Sequence, residues 1–348
     1  MKILYIDRFI GDQNNGAKKV MNRNLRALQE IAGTENVLIH TLPKTNLKNV
    51  GLSILRLGSY GITRAEEEKI IREVEDLMPD FVFMESSAFG SLFKKLSKSK
   101  SQTILFAHNL DTALTRQYKG SFVGMIKYLF TRYNERISSK YCKYLICLTK
   151  RDSDGFKEEF GREADIILPI TFPSRNLSTT KSADKPYFLF VGSDFPPNVE
   201  GIKWFIENVA PNVNANFRIV GGCCNNPELK SISIPENVKL VGYVEDIDKE
   251  YIDAAGVIAP IFKGSGMKTK TIEALSYGKS IYGTDEAFAG IVCDYSKIGA
   301  LCNSAEQFVS ALNSADNQTV NEYSLEVFSK DFSDSSFTNR LKNFLNNE

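Results

Sequence analysis

Histidine and tryptophan are scarce in this chain of 348 residues, which has two histidines, His40 and His108, and a single tryptophan. The six cysteines (Cys142, Cys147, Cys223, Cys224, Cys293 and Cys302) form no C-x-x-C pair and have no histidine at ligand spacing, which argues against structural zinc. No metal site is therefore expected. No apolar run approaches the ~18 to 20 residues that a membrane-spanning helix requires. A basic n-region and a long apolar h-region are both missing ahead of Asp7 and Arg8. Together with the scattered cysteines, this gives a cytoplasmic reading in which any membrane contact is peripheral. Net charge is also lacking: 43 basic residues against 42 acidic ones leave a formal +1, with no contiguous basic stripe of the kind that holds nucleic acid.

What is present is an ordinary globular composition, 43% hydrophobic and 24% charged. At ~150 residues per domain the length suggests two domains. The near-neutral sum conceals an asymmetry, because residues 1–180 carry 28 basic and 20 acidic side chains and the remainder 15 and 22. Short β-branched and aromatic runs alternate with helical patterns along the whole chain. In the first half, strands are expected at 2–6, 37–42, 81–85, 103–108, 144–148 and 166–168. Helices fall between them: Met21, Leu25, Leu28 and Ala32 form one apolar face, and Ile70, Val74 and Leu77 another. Residues 171–186 are rich in Ser, Thr, Pro and charge, lack apolar periodicity, and read as a linker. The alternation restarts with strands at 187–191, 217–220, 238–241, 257–261, 281–282 and 291–293. Helices follow near 199–209, 248–254, 267–277 and 305–314, and the chain ends in an amphipathic helix. The fold class is α/β, with two doubly wound Rossmann-like domains facing across a cleft. Their bounds are 1–175 and 186–334, and a terminal helix, 335–348, is expected to pack back on the first.

The stretch A-P-I-F-K-G-S-G-M-K-T-K-T-I-E-A-L-S-Y-G, residues 259–278, carries the most chemistry. A buried strand runs into a glycine turn (Gly264, Ser265, Gly266, Met267), and a helix begins near Met267 and ends at Gly278. Free N–H groups at a helix start attract anions, and Lys268 and Lys270 in a first turn suit that place only when an anion is bound. Lys270 and Glu273 are three apart and share a face, offering a cation to phosphate and a carboxylate to sugar hydroxyls. The same spacing is compatible with solvated lysines and a surface glutamate. The loop from Gly11 to Gly16 lacks the G-x-G-x-x-G order of a dinucleotide site, and it reads either as a plain turn or as backbone close to a ligand. His108 ends a buried strand, where a doubly wound domain presents side chains to its ligand crevice. His40 takes a structural reading.

These residues resemble the group 1 glycosyltransferases, retaining enzymes of the GT-B fold. The resemblance rests on F-V-G-S-D-F-P-P-N-V-E-G-I-K-W-F at 190–205, N-V-K-L-V-G-Y-V-E-D-I at 237–247, the glycine-lysine segment and A-F-A-G-I at 287–291. In the first half it rests on H-N-L-D at 108–111, Y-N-E-R at 133–136 and C-L-T-K-R-D at 147–152. It implies a nucleotide-sugar donor on the second domain, with the diphosphate over Gly264, Ser265, Gly266 and Met267. Glu273 then matches the ribose-holding glutamate, Tyr243 and Val244 flank the base, and His108 faces the transferred sugar. Gly16 is the first-domain residue expected near the donor. Ser265 stands where the family often has a second glutamate, Ser193 near its usual arginine, and Asn198 near its lysine. A branch with a G-x-G-x-K-x-K pattern shows similar replacements, so Lys268 and Lys270 are expected to take over the phosphate charge.

The function implied is a retaining, metal-independent hexosyltransferase that needs no cofactor beyond its nucleoside-diphosphate sugar. It would act on a glycan or lipid-linked acceptor in cell-surface polysaccharide biosynthesis. No side chain stands out as a double-displacement nucleophile, so the leaving phosphate is expected to help deprotonate the acceptor on the same face. The alternative is a non-catalytic GT-B subunit that binds a partner glycosyltransferase or a glycan, and a nucleotide-sugar epimerase is a third reading. Two stretches read either as a peripheral anionic-membrane contact or as solvated lysines at helix ends over core side chains. In one, Lys94, Lys95, Lys98 and Lys100 lie beside Leu92, Phe93 and Leu96; in the other, Phe122, Val123, Met125, Ile126, Leu129 and Phe130 lie near Lys119, Lys127 and Arg132.

Overall fold

The computed structural model describes residues 1–7, 16–175, 186–264, 266–316 and 320–347. The chain divides into two units, 1–169 with 337–348, and 170–336. In the first unit, six strands are β1 (Ile3–Asp7), β2 (Val37–Thr41), β3 (Phe81–Met84), β4 (Gln102–Ala107), β5 (Tyr144–Cys147) and β6 (Ile166–Ile167). They pair in the order β2-β1-β3-β4-β5-β6, every neighbour parallel. β3 and β5 are buried along their whole length, as expected of strands covered on both faces by crossover helices. Strand order reverses between β1 and β3, so the carboxyl ends of those strands flank the crevice where such sheets bind ligands.

The final helix, Asp334–Asn346, returns to this unit from Phe337 onward. Phe337 meets the edge of Phe106 at 6.5 Å, and the Arg23 guanidinium lies 3.6 Å from the Phe337 ring centre. Leu341 and Leu345 complete the buried stripe expected of an amphipathic tail.

The second unit has β7 (Tyr187–Val191), β8 (Asn216–Val220), β9 (Val238–Gly242), β10 (Gly256–Ala259), β11 (Ser280–Gly283) and β12 (Gly299–Leu301). Their order is β12-β11-β10-β7-β8-β9, again wholly parallel, and the reversal falls between β7 and β10. The sequence places the last strand at 291–293, and the structure corrects this to β12. Gly290 takes φ 88°, Val292 is 89% exposed, and Asp294 gathers the backbone N–H of Ser296 into a turn. An added strand in a parallel sheet needs both faces covered, and here Ile291 is buried while the Val292 side stands open to solvent.

The segment after Pro169 belongs with this second unit. Phe172 N–H donates to the Phe332 carbonyl, Asp334 N–H donates to the Phe172 carbonyl, and the Thr171 hydroxyl donates to Asp334 at 2.7 Å. The chain's exit from one unit and its return are thus tied side by side.

Candidate functional site

The reversal between β7 and β10 brings together the turn after β7, with Ser193, and the turn after β10, with Gly264 and Gly266. Both glycines have positive φ, 150° and 62°, which an L-side chain resists, and this lets the backbone turn sharply into the helix Thr269–Ser276. That helix starts two residues later than the periodicity predicts. Lys268 is consequently its N-cap residue, with Lys270 one turn-position inside. Gly278, at φ 63°, ends it at the predicted place.

Three of the expected residues form one chain of hydrogen bonds. Lys270 Nζ donates to Asn198 Oδ1 at 2.7 Å, and Asn198 Nδ2 donates to the carbonyl and hydroxyl oxygens of Ser193 at 3.1 and 3.2 Å. The ammonium also lies 4.3 Å from the Phe190 ring centre. No carboxylate partner for Lys270 occurs among the described residues. Burial, helped by the neighbouring charge of Lys268, pushes its pKa down to about 7. Such a cation is stabilised by any anion placed on it.

Lys268 is engaged differently. Its ammonium donates to the Gly266 carbonyl at 2.9 Å and to Glu286 at 2.6 Å, bracing the glycine turn from within. Glu273 shares the helix with Lys270 but has other partners. Tyr251 donates to it at 3.5 Å, and Arg175 Nη2 lies 3.7 Å away. Arg175 spans further, reaching Asp248 at 3.0 Å and stacking 4.0 Å over Tyr277, which itself stacks on Tyr251 at 4.6 Å. The sequence reading missed Arg175 because it falls in the segment read as linker.

Of the other expected residues, Tyr243 is 86% exposed just beyond β9, with Val244 beside it. Met267 is turned inward, its sulfur accepting from Ile170 N–H at 3.4 Å, so only its backbone faces the turn. Ser265 lies outside the described residues, as do residues 8–15 of the first loop, and Gly16 opens the helix Gly16–Ala32 of the first unit.

In the first unit, His108 follows β4 directly and its Nε2 bonds Glu85 Oε2 at 2.7 Å. The H-N-L-D and Y-N-E-R segments meet around one buried carboxylate. Glu135 accepts the backbone N–H of Asp111 at 2.9 Å and of Thr112 at 2.8 Å, capping the short helix that follows His108. Asn134 accepts Gly90 N–H at 3.0 Å and Ser138 donates to the Ser87 carbonyl at 2.7 Å, so the helix Phe122–Tyr141 fixes the loops after both β3 and β4. His40 is held between Glu66 and Glu73, away from these loops.

Residues 185–315 match the family described as Glycosyl transferases group 1. No curated protein matches the sequence. Among solved structures, Alr3699/HepE of Anabaena in complex with UDP is similar with a TM-score of 0.69 at 13% identity, over 100% of both chains. A glycosyltransferase from Rickettsia africae gives 0.64 at 13% identity, over 99% of this chain and 97% of that one. AviGT4, a glycosyltransferase involved in avilamycin A biosynthesis, gives 0.55 at 13% identity, over 98% and 95%. At this identity the likeness establishes the fold, which is GT-B with two Rossmann-like domains.

Proposed function

We propose that the protein, whose residues 185–315 match the group 1 glycosyl transferases, is a retaining glycosyltransferase that moves a hexose from a nucleoside diphosphate to a glycan or lipid-linked acceptor. The observation that carries this reading is the Lys270–Asn198–Ser193 chain beside the glycine turn at the β7/β10 reversal. The donor's diphosphate lies on the N–H groups of that turn and on Lys270, whose burial makes the ion pair strong and whose charge stabilises the leaving diphosphate. These donors supply the stabilisation that a metal gives in other transferases, so no metal is required. Glu273 takes the ribose hydroxyls, Tyr243 and Val244 flank the base, and His108 contacts the transferred sugar. With no side chain assigned as nucleophile, the leaving phosphate oxygen accepts the acceptor's proton on the face it departs from.

The acceptor is membrane-borne in this reading and belongs to cell-surface polysaccharide synthesis. Support comes from the start of the helix Phe122–Tyr141, where Phe122 is 82% and Val123 76% exposed and Leu129 follows on the surface near Lys119 and Lys127. The other basic stretch plays no such part, because Leu92, Phe93 and Leu96 are core and Lys95 is paired with Glu67 at 2.7 Å. No helix among the described residues is long and apolar enough to cross a membrane.

UDP is present in the Anabaena structure, so UDP-sugars are the first donors to test. Incubation with a panel of nucleotide sugars and a lipid extract, read by mass spectrometry, is expected to show one donor consumed and a glycosylated product. Nucleotide binding without donor hydrolysis or transfer would instead support a non-catalytic subunit.

A further inference from the structure

We propose that Glu85 is a positioning residue for His108: it holds the imidazole with Nε2 protonated and leaves Nδ1 as the acceptor for a substrate hydroxyl. The inference rests on the assignment of His108 to the transferred sugar.

Strand parity is the starting point. Tyr5 on β1 pairs with Phe83 on β3, and Phe83 pairs with Ile104 on β4. Side chains alternate across a strand, so Glu85, two residues past Phe83, and His108, four past Ile104, project from the same sheet face as Tyr5. The aromatic rings record that alignment: Tyr5 stacks on Phe83 at 5.9 Å, Phe83 meets Phe106 at 6.0 Å, and Phe106 meets the edge of His108 at 5.5 Å.

Glu85 is thereby delivered between two polar partners in an apolar wall, its side chain fully buried. A carboxylate in such a place must be hydrogen-bonded on both oxygens. The Tyr5 hydroxyl has the Met21 carbonyl at 3.3 Å and Glu85 Oε1 closer, so its one proton goes to Oε1, and His108 Nε2 lies 2.7 Å from Oε2. Burial and the charge of Glu85 raise the Tyr5 pKa far above its ordinary value, so the phenol keeps its proton and stays a donor. Oε1 is therefore an acceptor, and the carboxylate, accepting on both oxygens, calls for a proton on Nε2. A neutral imidazole with its proton on one nitrogen offers a lone pair on the other. Nδ1 of His108 has no hydrogen-bond partner among the described residues, and the side chain remains 16% exposed. Glu85 thus fixes which nitrogen is presented and the plane in which it is presented.

The chain's two histidines make the test direct. In ¹⁵N-histidine-labelled protein at pH 8, long-range ¹H–¹⁵N spectra are expected to show His108 as the single Nε2-protonated tautomer, with His40 as internal reference. Glu85→Leu should give mixed tautomers and a turnover number lower by roughly ten- to a hundredfold, with the donor KM within about twofold of wild type. Glu85→Gln, whose amide oxygen can still accept from Nε2, should restore the single tautomer and most of the rate. An Nδ1-protonated His108 in the wild-type spectrum overturns the proposal, even where Glu85→Leu does not fold. An unchanged tautomer and turnover in Glu85→Leu, beside an inactive His108→Ala, overturns it too. Undiminished transfer by His108→Ala instead removes the assignment of His108 to the sugar, a separate failure.

Discussion

Gly201 lies against the carbonyl oxygen of Pro260, where a Cβ would come within 1.9 Å. This close approach lets the helix Pro196–Asn208 abut the turn after β10, and it is why Asn198 reaches Lys270 across two separate turns. Backbone cannot yield as a side chain end can, so Gly201→Ala must push the helix outward. Overpacking of this kind costs about 1–3 kcal/mol. The variant should fold with a lowered melting temperature and bind UDP more weakly than wild type. A Gly201→Ala protein with unchanged melting temperature and UDP affinity would show that the helix is free to shift.

Lys270 should make nucleotide binding depend on pH. With its pKa pushed down to about 7 by burial, a large part of Lys270 is neutral at pH 8, whereas a bound diphosphate favours the ammonium. Binding at pH 8 therefore takes up a proton, and affinity should fall as pH rises above 7. Calorimetry in buffers of different ionisation enthalpy should detect uptake approaching one proton per UDP in wild type and none in Lys270→Met. Lys270→Ala should also lose about 1.5–3 kcal/mol of binding, roughly tenfold or more in affinity. Equal proton uptake by wild type and Lys270→Met would exclude Lys270 as the linked group.

Glu273 is assigned to the ribose, although its side chain sits with Tyr251 and Arg175 and has no bond to Lys270. A carboxylate that accepts from ribose hydroxyls discriminates by their presence, because losing a hydroxyl removes a hydrogen bond that it accepts. Wild type should therefore bind UDP more tightly than 2′-deoxy-UDP by about tenfold. Glu273→Ala should bind the two alike, both weakly. If Glu273→Ala retains the wild-type preference, the ribose contact lies elsewhere.

Strands such as β3 and β5 were legible in the sequence because parallel, doubly covered strands leave continuous apolar runs. Gly264, Gly266 and Gly278 were legible because the backbone there requires positive φ. Lys270 and Asn198 were each visible, but their 2.7 Å bond spans 72 residues and depends on Gly201. Glu85 was hidden for a related reason. In sequence it ends an apolar run as any polar residue could, and only the pairing of β1, β3 and β4 puts it between Tyr5 and His108. Arg175 lay in a segment read as linker from its composition, and that segment packs on the second unit through Thr171 and Phe172.

Glu135 should give the fold a measurable pH dependence. Burial first, then the charge of Asp111, raises its pKa from 4.5 to about 7 despite the two backbone N–H groups it accepts. Between these values the folded protein holds a proton that the unfolded chain has released, so stability falls as pH rises from 4.5 to 7. The contribution is full below 4.5 and lost above 7, and a shift of this size corresponds to roughly 3 kcal/mol at most. In denaturant titrations wild type should lose up to this much stability relative to Glu135→Gln, whose amide stays neutral, between pH 5 and pH 8. Parallel pH profiles for the two proteins would rule out Glu135 as the source.

Membrane association should depend on the start of the helix Phe122–Tyr141. Phe122, Val123 and Leu129 are exposed there at 82%, 76% and 56%, while Phe130 of the same stretch is core. Lys119 and Lys127 flank them, lying 3.9 Å over Tyr128 and 5.1 Å over Tyr118 respectively. An apolar side chain of this size contributes about 1.5–3 kcal/mol when it leaves water, and each nearby lysine ~1 kcal/mol at an anionic surface. The lysine part is screened over ~8 Å at physiological salt. Sedimentation with vesicles containing anionic lipid should therefore capture the protein at low salt and less of it at high salt. Phe122→Ser should weaken capture at every salt concentration, whereas Lys119→Gln with Lys127→Gln should chiefly remove the salt dependence. Changing Lys94, Lys98 and Lys100 to glutamine should matter less, because the apolar residues beside them are buried and cannot enter the bilayer. Wild-type protein left wholly in the supernatant at low salt would sink the membrane surface and favour an acceptor free in solution.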